Sequence, residues 1–264
     1  MLRLLTRDDA ADLLALSTAA GWNQTVDDWR TLLDLAPQSC WGIQADGRIV
    51  SSATLVCYGT RLAWVGMVLT LPGYRRRGFA RCLLDKTLDR ARELGIETVK
   101  LDATDAGRPL YESLGFRVEQ PVERWARPGD VAAIAPNPCA VPETVDRRAC
   151  GCARTALLHL LADRSRVTAT PSAYAMLRPG RVSAYLGPCV APSPAEASAL
   201  IESLLAPYPA AACYWDLFSH HTNAAALAAS LGFQPVRKLL RMSLGKELRG
   251  DDKTTYAIAG FEFG

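Results

Sequence analysis

The sequence predicts an α/β protein with a mixed sheet, built as two similar units of which the second is reduced. Strand-like and helix-like segments alternate along the 264 residues, a length that suits two domains of about 130 residues. In addition, Ser113-Leu114-Gly115-Phe116 recurs as Ser230-Leu231-Gly232-Phe233 at the equivalent place in a second, similar succession of elements. The prediction is therefore an internal duplication.

The first unit has a complete set of elements. Thr6 and Thr25 precede two early helices as caps, and Ala45-Asp46-Gly47 supplies the turn of a hairpin. In order, the predicted elements are strand 1–5, helices 8–20 and 25–35, strands 40–44, 48–57 and 62–71, helix 79–94, strand 99–103, a short helix and strand 116–124.

A linker and a second unit follow. Proline and glycine density breaks both helix and sheet, which predicts a linker over residues 128–142 between domains 1–127 and 143–264. The second unit is predicted to contain helix 154–162, strands 174–177 and 182–190, helix 194–205, strand 211–216, helix 223–231 capped by Asn223, and strands 233–243 and 256–263.

A basic loop, Leu71-Pro72-Gly73-Tyr74-Arg75-Arg76-Arg77-Gly78-Phe79-Ala80-Arg81, lies between a predicted strand and a predicted helix. Such a loop directs backbone N–H groups to a helix N-terminus, where unsatisfied donors and partial positive charge favour a phosphate. Gly78 permits close approach of the backbone, and the arginines add charge. The loop alone is equally compatible with a solvated arginine-rich turn.

A second motif distinguishes these alternatives. The spacing Arg75-x-x-Gly78-x-Ala80 resembles the acetyl-CoA pyrophosphate loop of the GNAT (N-acetyltransferase) superfamily. Tyr111-x-x-Leu114-Gly115-Phe116 resembles the segment that closes the GNAT core, and the two motifs stand in the family's order. The resemblance implies two tandem GNAT-like domains, the first of which binds acetyl-CoA and transfers its acetyl group to an amine by direct attack. That amine would belong to a small molecule or a peptide.

The resemblance also implies which residues form the site. Main-chain groups of Val68, Leu69 and Thr70 would hold the thioester, and Tyr111 would protonate the departing thiolate, unless it is only a packed aromatic. The pyrophosphate would lie on the basic loop, at Arg75, Arg76, Arg77, Gly78, Phe79, Ala80 and Arg81. The pocket of the acceptor amine would include Trp22, Asp28, Trp29 and Asp102. The alternative is that the two tryptophans pack helices and that Asp102 caps a turn; no general base is visible.

The second unit lacks these features. Aligning the two Leu-Gly-Phe segments places Ala228 opposite Tyr111, and the loop Gly187 to Pro194 has three prolines and no arginine. Prolines remove N–H donors that a phosphate cradle requires. This unit resembles the degenerate C-terminal GNAT-like domain of some tandem acetyltransferases. A non-catalytic acetyl-CoA-binding or protein-interaction module is therefore the alternative function.

Composition and charge argue against several other classes of function. The net charge of +3 is concentrated in the basic loop, which does not favour general nucleic-acid binding. No apolar run is long enough to span a bilayer, and we expect a cytoplasmic protein whose eight cysteines are reduced. Cys150-Gly151-Cys152 has no second ligand pair at zinc spacing, so we expect acetyl-CoA as co-substrate and no metal.

Overall fold

The computed structural model describes residues 1–264 and places both units in one mixed sheet of 12 strands. The strands are β1 (Leu2–Leu4), β2 (Cys40–Ala45), β3 (Arg48–Tyr58), β4 (Leu62–Thr70), β5 (Thr98–Ala103), β6 (Arg117–Arg127), β7 (Arg166–Ala169), β8 (Tyr174–Arg178), β9 (Ala184–Val190), β10 (Cys213–Phe218), β11 (Gln234–Gly245) and β12 (Thr255–Ala257). The helices are α1 (Ala10–Ala19), α2 (Val26–Leu35), α3 (Phe79–Glu93), α4 (Arg108–Ser113), α5 (Glu143–Cys150), α6 (Thr155–Ala162), α7 (Pro194–Leu205) and α8 (Thr222–Ser230).

Each unit contributes one of its late strands, β6 or β11, to the sheet of the other unit. The strand order is β1-β2-β3-β4-β5-β11-β6-β10-β9-β8-β7, and β12 pairs with β9 outside this path. Strand β11 of the second unit therefore lies between β5 and β6 of the first, and β6 reaches β10 of the second. All three of these pairings are antiparallel.

Two buried ion pairs connect the exchanged strands to their new neighbours, one between β11 and β5 and one between β6 and β10. Arg241 on β11 donates to both carboxylate oxygens of Asp102 on β5, at 2.9 and 3.0 Å. Arg124 on β6 donates to both carboxylate oxygens of Asp216 on β10, at 2.7 and 2.6 Å. The alignment that places Ala228 opposite Tyr111 also places Arg241 opposite Arg124. Each strand-end aspartate is thus paired with the arginine of the exchanged strand.

The core also crosses between the units. One cluster of 28 buried residues joins Leu13 and Trp29 of the first unit to Leu157 and Tyr174 of the second. Burial of apolar surface contributes about 25 cal/mol per Å², so this shared cluster stabilises both units together. The two units therefore pack closely against each other.

Local signals explain where helix α2 begins and require one correction, at the start of α8. Thr25 and Asp28 form a capping box, in which the Asp28 N–H donates to Thr25 Oγ1 at 3.2 Å and the Thr25 N–H donates to Asp28 Oδ2 at 2.8 Å. Asn223 is not the cap of α8. That cap is His221, whose Nδ1 accepts from the N–H of Ala224 at 3.2 Å.

Three features of the second unit differ from prediction. Helix α5 and the short strand β7 were not expected, and the predicted terminal strand over residues 256–263 is reduced to β12 followed by a turn. Residues 128–142 contain no helix or strand. The elements of the first unit follow the prediction closely, because their caps and turns are local.

Candidate functional site

Strands β4 and β5 run parallel for three residue pairs and then separate. The last pair is Trp64 with Lys100. Beyond it, the register of β4 against β3 shifts, and Met67 adopts a left-handed φ of 49°. Such a bulge bends the strand and leaves main-chain groups outside the ladder. A cavity of about 430 Å³ lies in the gap.

The basic loop forms one end of this cavity. Gly78 precedes α3 with a φ of 79°, in the left-handed region that favours glycine. A Cβ added there would meet nothing within 4 Å, so the space above the glycine is open. The first-turn N–H groups of α3 have no acceptor within the helix. The end of α3 therefore presents free donors beside an exposed cluster of arginines.

The predicted cofactor residues are divided between the cavity and its mouth. Those that border the cavity are Val68, Arg75 and Ala80. The remaining ones do not border it: Leu69, Thr70, Arg76, Arg77, Gly78, Phe79 and Arg81. Leu69 is buried in the sheet and Phe79 packs on the core, whereas the arginines are exposed at the surface. Along β4, the residues that border the cavity are Val65 to Val68.

Tyr111 lies on α4 and borders the same cavity. Its ring packs edge-to-face against Phe116, with the centroids 6.1 Å apart. Burial alone raises the pKa of Tyr111 to about 12, so the phenol is protonated at neutral pH. The tyrosine is therefore both a packed aromatic and a proton donor within reach of the cavity.

Two of the predicted pocket residues border the cavity. Trp22 belongs to the segment between α1 and α2, and Asp102 lies near the end of β5. The side chain of Asp102 is fully buried and is held by Arg241. Burial raises the pKa of Asp102, and the neighbouring guanidinium opposes that shift. Asp102 makes no turn-capping hydrogen bond; its carboxylate is engaged in the strand exchange.

The other two predicted pocket residues lie outside the cavity. Trp29 is fully buried, and its indole N–H donates to Ser17 Oγ at 3.2 Å. Asp28 completes the cap of α2 and pairs with Arg164 at 2.5 Å. Burial opposes ionisation, but Arg164 and Arg178 hold the pKa of Asp28 below its usual value. Asp28 thus joins α2 to the second unit, Trp29 packs in the shared core, and neither residue borders the cavity.

Several cavity residues were not predicted. Six of them are Gln24, Arg124, Arg237, Leu239, Phe261 and Glu262. Gln24 lies in the same segment as Trp22, so its neighbourhood was visible in the sequence. The others come from the exchanged strands and the last residues of the chain, which no local pattern connects to the site. The second unit therefore contributes part of the cavity wall, through Arg237, Leu239, Phe261 and Glu262.

Close packing brings the C-terminal residues to the cavity. A Cβ added at Gly66 would lie 3.0 Å from the Glu262 carbonyl oxygen, a distance that side chains rarely tolerate. The indole N–H of Trp64 donates to the carbonyl of Phe261 at 2.8 Å, and the Tyr58 hydroxyl donates to the carbonyl of Phe263 at 2.6 Å. These contacts fix Glu262 beside the bulge of β4.

The equivalent gap in the second unit is filled. Strands β9 and β10 also run parallel for three pairs, the last being Leu186 with Trp215. β12 then pairs with the end of β9. β12 and the residue after it also contact β10. The Trp215 indole donates to the carbonyl of Tyr256 at 2.7 Å, and the Ile258 N–H donates to the carbonyl of Asp216 at 3.0 Å. The chain's own β12 thus occupies the place where the first unit has its cavity.

Neither a metal cluster nor a membrane span is found. No group of three or more His, Cys, Asp or Glu side chains is arranged to hold a metal ion. No helix is both long enough and apolar enough to cross a bilayer. Burial raises the pKa of both the Cys150 and Cys152 thiols.

Comparison with known families identifies both units. Residues 8–116 match the acetyltransferase (GNAT) family, and residues 143–257 match an acetyltransferase (GNAT) domain. The two matched segments together take in most of the chain.

Two curated relatives are similar over part of their length. Glucosamine 6-phosphate N-acetyltransferase of Trypanosoma brucei brucei is 32% identical over 83 residues, which are 29% of this chain and 56% of that protein. The uncharacterized N-acetyltransferase YitH of Bacillus subtilis strain 168 is 29% identical over 123 residues, which are 46% of this chain and 42% of that protein. The chain thus spans about half the length of the curated relatives it matches.

Solved structures share the whole fold. A candidate acetyltransferase from Pyrococcus horikoshii superposes with a TM-score of 0.87 at 20% identity, covering 100% of this chain and 95% of that one. A tandem GNAT protein from the clavulanic acid biosynthesis pathway gives a TM-score of 0.61 at 17% identity, covering 94% of this chain and 99% of that one. At such identities the likeness concerns the fold.

Proposed function

Because the chain belongs to the GNAT superfamily and carries two GNAT domains, we propose that its first unit is a working N-acetyltransferase that uses acetyl-CoA. One observation carries the proposal. A single cavity joins the basic loop at Arg75, the bulged main chain of β4 and the buried phenol of Tyr111. These are the parts required to hold a thioester, polarise it and protonate its leaving group.

The pyrophosphate of acetyl-CoA binds at the start of α3. Gly78 lets the two phosphates approach the backbone, and the free N–H groups of the first helical turn donate to them. Arg76, Arg77 and Arg81 are exposed around this point and neutralise the phosphates. The pantetheine arm then passes Arg75 and Ala80 into the cavity, where the main chain near Val68 contacts the thioester.

The chemical step is a direct acyl transfer. The amine nitrogen, once deprotonated, attacks the thioester carbonyl carbon, and the carbon–sulfur bond breaks as the amide forms. The thiolate takes a proton from the Tyr111 hydroxyl, and the N–H proton released by the attacking nitrogen restores the phenol. With its pKa raised to about 12 by burial, Tyr111 holds its proton until the thiolate forms.

The second unit binds no acetyl-CoA in this proposal. Three features support that division of work: the filled gap beside β12, the loop without arginine, and Ala228 in place of Tyr111. Its role is to complete the acceptor end of the cavity, with Arg237, Phe261 and Glu262. We propose that the strand exchange exists to bring this wall to the first unit.

A panel of amines tests the function. The purified chain is incubated with acetyl-CoA and one amine at a time, and free CoA is measured with a thiol reagent against a protein blank, since Cys82 and Cys139 are exposed. Glucosamine 6-phosphate belongs in the panel because the trypanosomal relative is named for it. We expect amine-dependent release that is lost in Gly78→Glu. Acetyl-CoA binding without turnover of any amine would favour the non-catalytic module.

A further inference from the structure

Arg237 is a partly buried guanidinium in the cavity that has no anionic partner. It lies on β11 directly opposite Arg124 on β6, and both border the cavity. Arg124 is paired with Asp216 through two hydrogen bonds. Arg237 makes neither a hydrogen bond nor an ion pair within the protein. The nearest opposing charge is the carboxylate of Asp216, which is already paired with Arg124.

This cationic environment favours an added anion. Burial, together with the neighbouring Arg124, lowers the pKa of Arg237, which means that its charged form is destabilised where it stands. The guanidinium still carries its charge at neutral pH, because arginine is not deprotonated in proteins. A carboxylate or phosphate accepts two parallel hydrogen bonds from such a fork and would neutralise it.

The cavity also contains a buried carboxylate, that of Glu262, which accepts only one side-chain hydrogen bond. Glu262 is 5% exposed and borders the cavity. Its Oε2 accepts from the Gln24 side-chain N–H at 3.2 Å, and its Oε1 lies 3.6 Å from Arg178. The Arg178 guanidinium also donates hydrogen bonds to two main-chain carbonyls, those of Gly187 and Ala259, at 2.7 Å each. Burial raises the pKa of Glu262, which makes this carboxylate a better base.

Gln24 adds a second, independent sign of a ligand. The residue is 7% exposed and borders the cavity. Its Nε2 is used by Glu262, but its Oε1 is buried with no hydrogen-bond donor. A buried acceptor left without a donor costs about 1–3 kcal/mol. An ammonium ion carries three donors and would satisfy both Gln24 and Glu262.

We infer, on the basis of the proposed function, that the acceptor is a small primary amine that also carries an anionic group, a carboxylate or a phosphate. Arg237 binds the anionic group, while Glu262 and Gln24 hold the ammonium group. The acceptor shares a cavity of about 430 Å³ with the acetyl end of the cofactor. That volume suits a metabolite-sized molecule.

Glu262 also completes the proton balance of the reaction. The ammonium group gives its first proton to the Glu262 carboxylate, which yields the nucleophilic amine. After attack on the thioester carbonyl, the second N–H proton replaces the one that Tyr111 donates to the thiolate. The products are the acetamide, CoA with its thiol protonated, and one proton that leaves Glu262 for solvent.

Matched pairs of amines test the inference on the native chain. β-Alanine is compared with β-alaninamide, and phosphoethanolamine with ethanolamine, by kcat/KM for CoA release. The first pair reports a carboxylate and the second a phosphate. We expect the anionic member of at least one pair to be favoured by about ten- to a hundredfold, the worth of charge-assisted hydrogen bonds.

Two variants and a control variant test which residues cause the anion preference and deprotonate the amine. Arg237→Gln should abolish the preference by lowering kcat/KM for the anionic amines to about that of their neutral partners. Lys238→Gln removes a charge from the adjacent, exposed residue of the same strand, whose side chain points to the other face, and should leave the preference intact. Glu262→Gln should lower kcat/KM for every amine by about a hundredfold, with unchanged acetyl-CoA affinity.

The possible failures are distinguishable. Turnover of neutral amines at least as fast as that of their anionic partners overturns the inference and leaves the acetyltransferase intact. An anion preference that survives in Arg237→Gln overturns the assigned role of that residue. Acetyl-CoA binding without turnover of any amine overturns the proposed function, and this inference with it.

Discussion

Replacing Tyr111 by phenylalanine removes one hydroxyl and preserves the packing of the ring. The edge-to-face contact with Phe116, at 6.1 Å between centroids, does not involve the hydroxyl. Burial is the sole cause of the shift that raises the pKa of Tyr111 to about 12, so no hydrogen bond within the protein is lost. The variant should fold normally and bind acetyl-CoA with nearly unchanged affinity.

Catalysis should respond strongly to the same change. General acid assistance contributes about a hundredfold or more, which corresponds to about 2.7 kcal/mol of transition-state stabilisation. We expect kcat to fall by about that factor in Tyr111→Phe, measured in single turnover so that the acyl-transfer step limits the rate. In the native chain, ionisation of Tyr111 should not reduce kcat below about pH 11, because an acid with a raised pKa keeps its proton at higher pH.

A second tyrosine supplies the control. Tyr208 lies in the second unit, does not border the cavity, and accepts a hydrogen bond from the N–H of Ala135. Tyr208→Phe should therefore leave the single-turnover rate unchanged. If Tyr111→Phe kept the native rate under these conditions, Tyr111 would be a packing residue and the proposed acid would have to be sought elsewhere.

Three further predictions concern the loop, the exchange and the second unit. Gly78→Glu should weaken acetyl-CoA binding about a hundredfold more than Gly78→Gln, since a charge about 6 Å from two phosphate charges costs ~3 kcal/mol at an effective dielectric constant of ~40; equal losses in calorimetry would contradict this. Arg241→Met leaves Asp102 unpaired and should lower the free energy of unfolding in urea by about 3–5 kcal/mol, whereas Arg108→Met, which breaks an exposed pair with Glu112, should cost about 1 kcal/mol or less. A fragment ending at Pro128 loses both neighbours of β6 and should be insoluble or nearly inactive; a soluble, fully active fragment would show that the second unit is dispensable.

Local signals made the first unit predictable from the sequence. The caps, the hairpin turn and the glycine before α3 depend on residues that are neighbours in the chain, and each predicted helix of that unit is present. The capping box of Thr25 and Asp28 is such a signal. It also shows why Asp28 was misplaced, because the carboxylate that caps a helix is not free for a ligand.

The strand exchange could not be predicted in this way. Strand patterning shows which face of a strand is buried and leaves its neighbour in the sheet undetermined. The repeated aspartates, Asp102 and Asp216, were visible in the sequence, but their partners Arg241 and Arg124 lie 139 and 92 residues away along the chain. For the same reason Glu262, which reaches the site from the C-terminus, carried no local signal.

Calorimetric titration of the native chain with acetyl-CoA tests the central claim most directly. The first unit has an open cavity beside the basic loop, and the second has β12 in the corresponding gap. We predict one site per chain, and no site in Gly78→Glu. Two equivalent sites, or one site that persists in Gly78→Glu, would contradict the assignment of acetyl-CoA to the first unit alone.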